Sequence, residues 1–329
     1  MKRLDQSALC QIVAGSTILG TGGGGRYDSA MSVIQRLPGI DLIAFEDLDR
    51  NDVVITAYGA GGLTKPKNTA AAMNKGLRLL QQRLGKPITA IVPVEIGPYS
   101  LAAAFEIAAK LQVPVVDGDL VGFRSVPEIF IELVTLAGLP RCPLVFGNNE
   151  GDLVLLEETS NAERLEQIIR SFADSSLSNT FVLGYPYAKK QLGKCLAKGS
   201  VSYCLEVQNN LETDFSFVAA GRVTKDVKEE CDGFTKGFLQ VQTDTGLYRV
   251  EFKNEYLVLL CDNQVVVTCP DLICLVDSTT GLGLNNGDDN TGKSVKLYVK
   301  PAIEQWRTTA GIKLFSPKSL ALPYEQRVL

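Results

Sequence analysis

Three apolar, strand-like runs end in residues that can move protons or cradle a ligand. Tyr58-Gly59-Ala60-Gly61-Gly62 follows VVITA, Glu95-Ile96-Gly97 follows AIVPV, and Asp117-Gly118-Asp119 follows PVV. Ligands of open α/β sheets bind outside the carboxyl ends of the strands, so such loops converge, and two of these three deliver carboxylates. Neighbouring carboxylates push each other's proton affinities apart, which makes one an acid and the other a base. Asp119 and Asp117 are the candidate bases; Glu128 and Glu95 are the candidate acids. The same aspartates could instead hold a hard cation such as Mg²⁺, although their spacing is no typical ligand loop. Arg124, in DGDLVGFRSVPE, has the forked geometry that suits a substrate carboxylate and equally a structural ion pair. Gly and Asp also end strands for purely conformational reasons, and that plainer reading stays open.

A second feature is LGTGGGGRYDS, in which five of the six residues from Gly20 to Gly25 are glycine. Glycine loses more backbone entropy on ordering than any other residue, so the run needs positive φ angles or a close approach. Gly20, Gly22 and Gly25 fit G-x-G-x-x-G, and Glu46 lies about 20 residues on, where a ribose-binding acid belongs. That fingerprint must follow a strand. Residues 5–19 instead space Leu9, Ile12, Val13 and Leu19 as a helix, with Asp5 or Ser7 as its cap. The run reads better as a loop entering a helix N-terminus. Free amides of Gly22, Gly23, Gly24 and Gly25 would there hold an anion or a carbonyl oxygen beside Asp117 and Asp119. A tight helix–helix turn is the alternative.

The elements that must position these residues alternate. Helices are expected at 28–37, 68–84, 99–111 and 127–137, the last with Pro127 in its first turn. Short apolar strands lie between them, at IDLIAF, DVVITAYG, ITAIVPV and PVVDGD, with LVF and LVLLE to follow. The pattern predicts an α/β fold, a mostly parallel sheet covered by helices, over residues 1–160. From 161 to 212 the chain reads as a helical connector. From 217 to 329 it becomes short β-like runs separated by turn signals, an all-β domain of sandwich or barrel-like form.

Composition bounds the function. The 329 residues are 45% hydrophobic and carry a net charge of −4, so there is no basic footprint for nucleic acid or an anionic membrane. No apolar run reaches spanning length, and MKRLDQSALC is no signal peptide, which makes the cytoplasm the expected location. Eight scattered cysteines without a C-x-x-C read as reduced thiols. There is no histidine. Every histidine base, nucleophile partner and metal ligand is thereby excluded, and proton transfer falls to Asp, Glu, Lys, Tyr, Cys or water.

LGTGGGG, PVEIGPYS, VVDGDLVGFRSVPE, GDLVLLEE, GRV, VEFKNEYL, TCPDLICLVDSTTG and WRT follow one another along nearly the whole chain. In this order they resemble the S-methyl thiohydantoin desulfurase family. One departure stands out. That family tends to read D-x-D-G-M-G-R-x-F-P-E, whereas Leu120 here takes the place of the glycine after its second aspartate and Arg124 comes one residue later. The resemblance implies hydrolysis of a methylthio-imidazolone ring to a hydantoin with release of methanethiol. It implies a small heterocyclic substrate and no organic cofactor, and it leaves a homo-oligomer open. The residues suit such chemistry: a carboxylate base for water, an acid for ring nitrogen or sulfur, and loop amides for a ring carbonyl. Two other classes remain, a non-catalytic accessory or ligand-binding subunit of a hydantoinase-like system and a nucleotide-dependent oxidoreductase.

Overall fold

The computed structural model describes residues 1–61 and 69–329. Gly62 of the first strand-end loop and Asn68, the expected first residue of a helix, lie outside the described residues. In chain order come β1 (Lys2–Leu4), β2 (Ile40–Ile43), β3 (Val54–Ala60), β4 (Ala90–Ile91), β5 (Val115–Val116) and β6 (Gly118–Asp119). They are followed by β7 (Leu144–Gly147), β8 (Leu153–Leu156), β9 (Thr180–Tyr187) and β10 (Ala197–Lys198). One sheet runs β1-β2-β5-β4-β3-β9-β7-β8, and β6 pairs with β10 beside it. Its centre, β2-β5-β4-β3, is parallel. Antiparallel strands extend it on both sides, so the sheet is mixed.

Helices α1 (Gln6–Leu19), α2 (Tyr27–Ile34), α3 (Ala70–Leu84) and α4 (Pro98–Leu111) cover one face. Asp5 caps α1 by accepting the Ala8 amide at 2.8 Å, and Pro98 opens α4 at a position that needs no N–H donor. The short α5 (Leu133–Leu136) and α6 (Ala162–Ser175) lie against the other face. Strand β3 shows the two-sided burial. Ile55 and Ala57 pack with the first helix layer, and Tyr58 and Ala60 point the opposite way. Each fully buried Leu or Phe of these layers, Leu101 and Phe105 among them, contributes about 1.5–3 kcal/mol.

Two local expectations are corrected. Residues 127–137 are helical only at 133–136; the preceding backbone is taken up by side-chain anchors, with the Ile129 amide bonded to Glu166 and the Pro127 carbonyl to Arg170. The supposed helical connector holds β9, which inserts between β3 and β7 of the first sheet.

The second half contributes β11 (Ser216–Cys231), β12 (Phe234–Thr243), β13 (Gly246–Lys253), β14 (Glu255–Cys261), β15 (Gln264–Thr268), β16 (Leu272–Asp277) and β17 (Ser294–Lys300). They form one antiparallel sheet in the order β15-β14-β13-β12-β11-β17-β16. Bulges at Val223/Lys225 and Phe217/Ala219 bend the long β11. The sheet curls into a half-barrel until β14 and β16 meet, around Val223, Leu239, Val250, Leu259 and Leu297. Its strand ends dock on the glycine run. Tyr256 N donates to Thr21 O at 2.7 Å and Asn286 N to Gly22 O at 2.8 Å. Among the described residues no helix is long and apolar enough to cross a membrane, and all eight cysteines are free thiols.

Candidate active site

The carboxyl ends of β3 and β4 open on a cavity of about 60 Å³ with a second chamber of about 40 Å³ beside it. Gly59, Ala60, Glu95, Val126 and Arg170 line both chambers. Each has room for ordered water. The position agrees with the sheet rule. Part of the wall, however, comes from the half-barrel, through Asn254 and Glu255.

Asn254 has φ +60° in the turn between β13 and β14. Its amide and side-chain oxygen both bond Thr235, at 2.7 and 2.8 Å, and Asn286 Nδ2 donates to its carbonyl at 2.7 Å. The pinned turn delivers Glu255, the first residue of β14, against the glycine run. The Gly24 amide donates to Glu255 Oε1 at 3.1 Å. Ser125 stands beside the same carboxyl, but its hydroxyl donates to Gly20 O at 2.8 Å. Oε2 of Glu255 therefore has no donor among the described residues.

This approach explains the glycines. A Cβ on Gly23 would lie 1.9 Å from Glu255 Oε1, and one on Gly24, at φ +65°, would lie 2.5 Å from Gly97 Cα.

Glu95 is half-buried and lines both chambers. Ser100 Oγ donates to its Oε1 at 2.7 Å and the Val126 amide to its Oε2 at 3.0 Å. Burial pushes Glu95 up to about 7 against those two donors, with Glu132 and Asp119 adding to the rise. Burial and the neighbouring Glu95 push Glu255 up to about 8. Two carboxyls, both raised by burial and interacting with each other, face one cavity, and Glu95 is held by two donors.

Behind them lies a charged framework. Arg170 donates to Glu166, to Pro127 O and to Gly233 O, at 2.6, 2.8 and 3.1 Å, and covers the Phe234 ring. Glu132, raised to about 7 by burial, accepts from Arg141 at 2.7–2.8 Å.

Glu95 and the Gly24–Gly25 backbone share the cavity. Gly23 spends its amide on Gly20 O at 2.8 Å, and Gly22 packs against Tyr256 and Asn286. Of the four amides read from sequence as an anion cradle, those of Gly23 and Gly24 are spent within the protein, the latter seating the Glu255 carboxyl. Glu128 borders the smaller chamber but is paired with Lys253. Asp119 and Asp117 line neither chamber. Fully buried Asp119 accepts the amides of Val121, Gly122 and Phe123 at 2.5–2.9 Å, an Asx-type turn. Asp117 accepts the Ser202 amide at 2.9 Å. Arg124 is also fully buried, and it donates to Ser125 O and to Pro270 O and covers the Phe315 ring. It ties the two halves together.

Glu46 is ion-paired with Lys198 at the surface. No group of three His, Cys, Asp or Glu among the described residues is placed to hold a metal ion.

Asp119→Ala would strand three buried amides at about 1–3 kcal/mol each. We expect a fall in stability of about 3 kcal/mol or more by denaturant unfolding; an unchanged midpoint would argue against this structural role.

Glu255 was not among the residues singled out from sequence. Its signal was an acid heading the otherwise apolar run YLVLLC, since buried carboxyls need a partner or a purpose.

Residues 7–158 match the S-Me-THD-like N-terminal domain and residues 159–328 the S-Me-THD-like C-terminal domain. The chain belongs to the S-Me-THD-like family. The chain is similar in fold to the crystal structure of a protein from Chromobacterium violaceum, over 100% of both chains, with a TM-score of 0.81 at 20% sequence identity. No curated protein matches. The boundary between the two S-Me-THD-like domains precedes β9, so the second domain supplies a strand to the first sheet as well as Glu255 to the cavity.

Proposed function

We propose that this S-Me-THD-like chain hydrolyses the carbon–sulfur bond of an S-methylated thiohydantoin-type ring, using Glu95 as base and Glu255 as acid. The family assignment supports the substrate class. The observation that carries the chemistry is that the Glu95 and Glu255 carboxyls, both raised by desolvation, line one cavity. Ionised Glu95 takes a proton from water as the water oxygen bonds the ring carbon that bears sulfur. Glu255 protonates the adjacent ring nitrogen, which receives the displaced π electrons. The tetrahedral carbon then collapses. Its hydroxyl returns a proton to Glu255 and becomes a carbonyl, while the carbon–sulfur bond breaks and sulfur takes the proton held by Glu95. Ring–SCH₃ and water give ring carbonyl and CH₃SH, and both carboxyls return to their starting states.

The test is release of free thiol from a 2-methylthio-imidazolone by the purified protein. Stoichiometric methanethiol and hydantoin are expected. No thiol from any such substrate, with hydantoin still bound, would move a ligand-binding subunit ahead of an enzyme.

A further inference from the structure

The smaller chamber is bordered by Tyr58, Val94, Glu95, Val121, Ile129 and Glu132. A hydrogen-bonded chain runs into its wall. Tyr58 and Tyr185 hydroxyls are 3.0 Å apart, and the Tyr185 hydroxyl donates to Glu132 Oε1 at 3.1 Å. Glu132 Oε2 accepts two nitrogens of Arg141. Tyr185 is fully buried at φ +59°, a backbone region side chains seldom adopt, and its amide is fixed on Arg141 O at 3.1 Å.

A phenol has one hydrogen to give. With Glu132 ionised, Tyr185 spends its hydrogen on the carboxylate, so the hydrogen between the two tyrosines comes from Tyr58. What Tyr58 has left is lone-pair capacity. We infer that Tyr58 is a specificity-determining residue of this site, its phenol oxygen accepting a hydrogen bond from a ring N–H of the substrate. The inference rests on the hydrolase reading of the same cavity and narrows it to unsubstituted ring nitrogen at one position. An N-methylated ring offers no hydrogen there, and its methyl group would meet a polar oxygen.

The probes are hydantoin and its N1- and N3-methyl derivatives, with binding measured by calorimetry at about pH 8, above the value of about 7 to which burial raises Glu132. The parent chain should lose about tenfold in affinity for one of the two methylations, the usual worth of a buried hydrogen bond. Tyr58→Phe should erase that preference. Tyr185→Phe should weaken it as well, because it frees the Tyr58 hydrogen to point at the ligand while leaving Tyr58 in place; a merely structural tyrosine would not respond this way. Thiol release by the parent together with an unaltered preference in both variants would overturn the inference and leave the hydrolase reading standing. A parent that discriminates between neither methylation also overturns it. Absence of thiol release from the parent, by contrast, removes the reading beneath it.

Discussion

Glu255→Gln lowers methanethiol release by about 10²–10⁴-fold, the range expected when a positioned proton donor is lost. Glutamine keeps the contact with the Gly24 amide through its carbonyl oxygen, so the loss reports proton chemistry more than shape. Glu95→Gln should cost a similar factor by removing the base. In the parent, kcat/KM should be bell-shaped in pH. Below about 7 Glu95 takes up a proton and can no longer accept one from water. Above about 8 Glu255 gives up its proton and the acid is gone. The singly protonated pair is the working form, so the maximum falls between the limbs, and both apparent values belong to the pair. Glu95→Gln also removes a charge that raises Glu255, so the alkaline limb of its residual activity should move to lower pH. Flat profiles from pH 5 to 9 would overturn the pairing, as would wild-type rates in both variants.

Gly23→Ala should separate catalysis from folding. The added Cβ would overlap Oε1, Cδ and Cγ of Glu255, at 1.9, 2.4 and 2.9 Å. These atoms form the far end of a flexible side chain, so the fold can yield by turning the carboxyl away. A displacement of about 1 Å at a reacting group can cost on the order of 10²-fold. We expect that loss with a thermal midpoint close to the parent's. Gly24→Ala offers the contrast. Its Cβ meets the Gly97 backbone at 2.5 Å, and its φ of +65° disfavours a side chain, so it should destabilise the chain along with lowering activity. Thermal unfolding and thiol release measured on both variants decide the matter. Full activity in Gly23→Ala would mean that Glu255 need not stay where the loop seats it.

Local chemistry made part of this legible in advance. The parallel centre of the sheet follows from β-branched strands alternating with helices, and Glu95, singled out because it follows one of those strands, lines the cavity. The aspartate pair misled. In D-G-D the carboxylates suggested acid–base work, yet an aspartate ahead of a turn also caps the amides that follow it, and that local bond wins at Asp119. Arg124 was left between a substrate carboxylate and a structural ion pair, and its neighbourhood could not decide, since the carbonyl it bonds lies on Pro270, far along the chain. Glu255 could not be placed from its own neighbourhood. Only the docking of the half-barrel on the glycine run brings it to Glu95. The glycine run was read as needing positive φ angles or a close approach, and both occur, with a side chain of the same protein as the approaching group. TFVLGYPY was read as part of a helical connector, because its strand character depends on a slot between β3 and β7 that no short window can display.

That slot has a consequence during synthesis. A ribosome that has finished the first 158 residues has made β3 and β7 but not the strand that separates them. Both would present unpaired edges, each able to capture another chain. The nascent sheet stays open until Tyr187 has been made, so the first half cannot be matured and handed on as a finished module. For gene fusion, splitting or recombination, the usable seam is not the point where the two family domains abut.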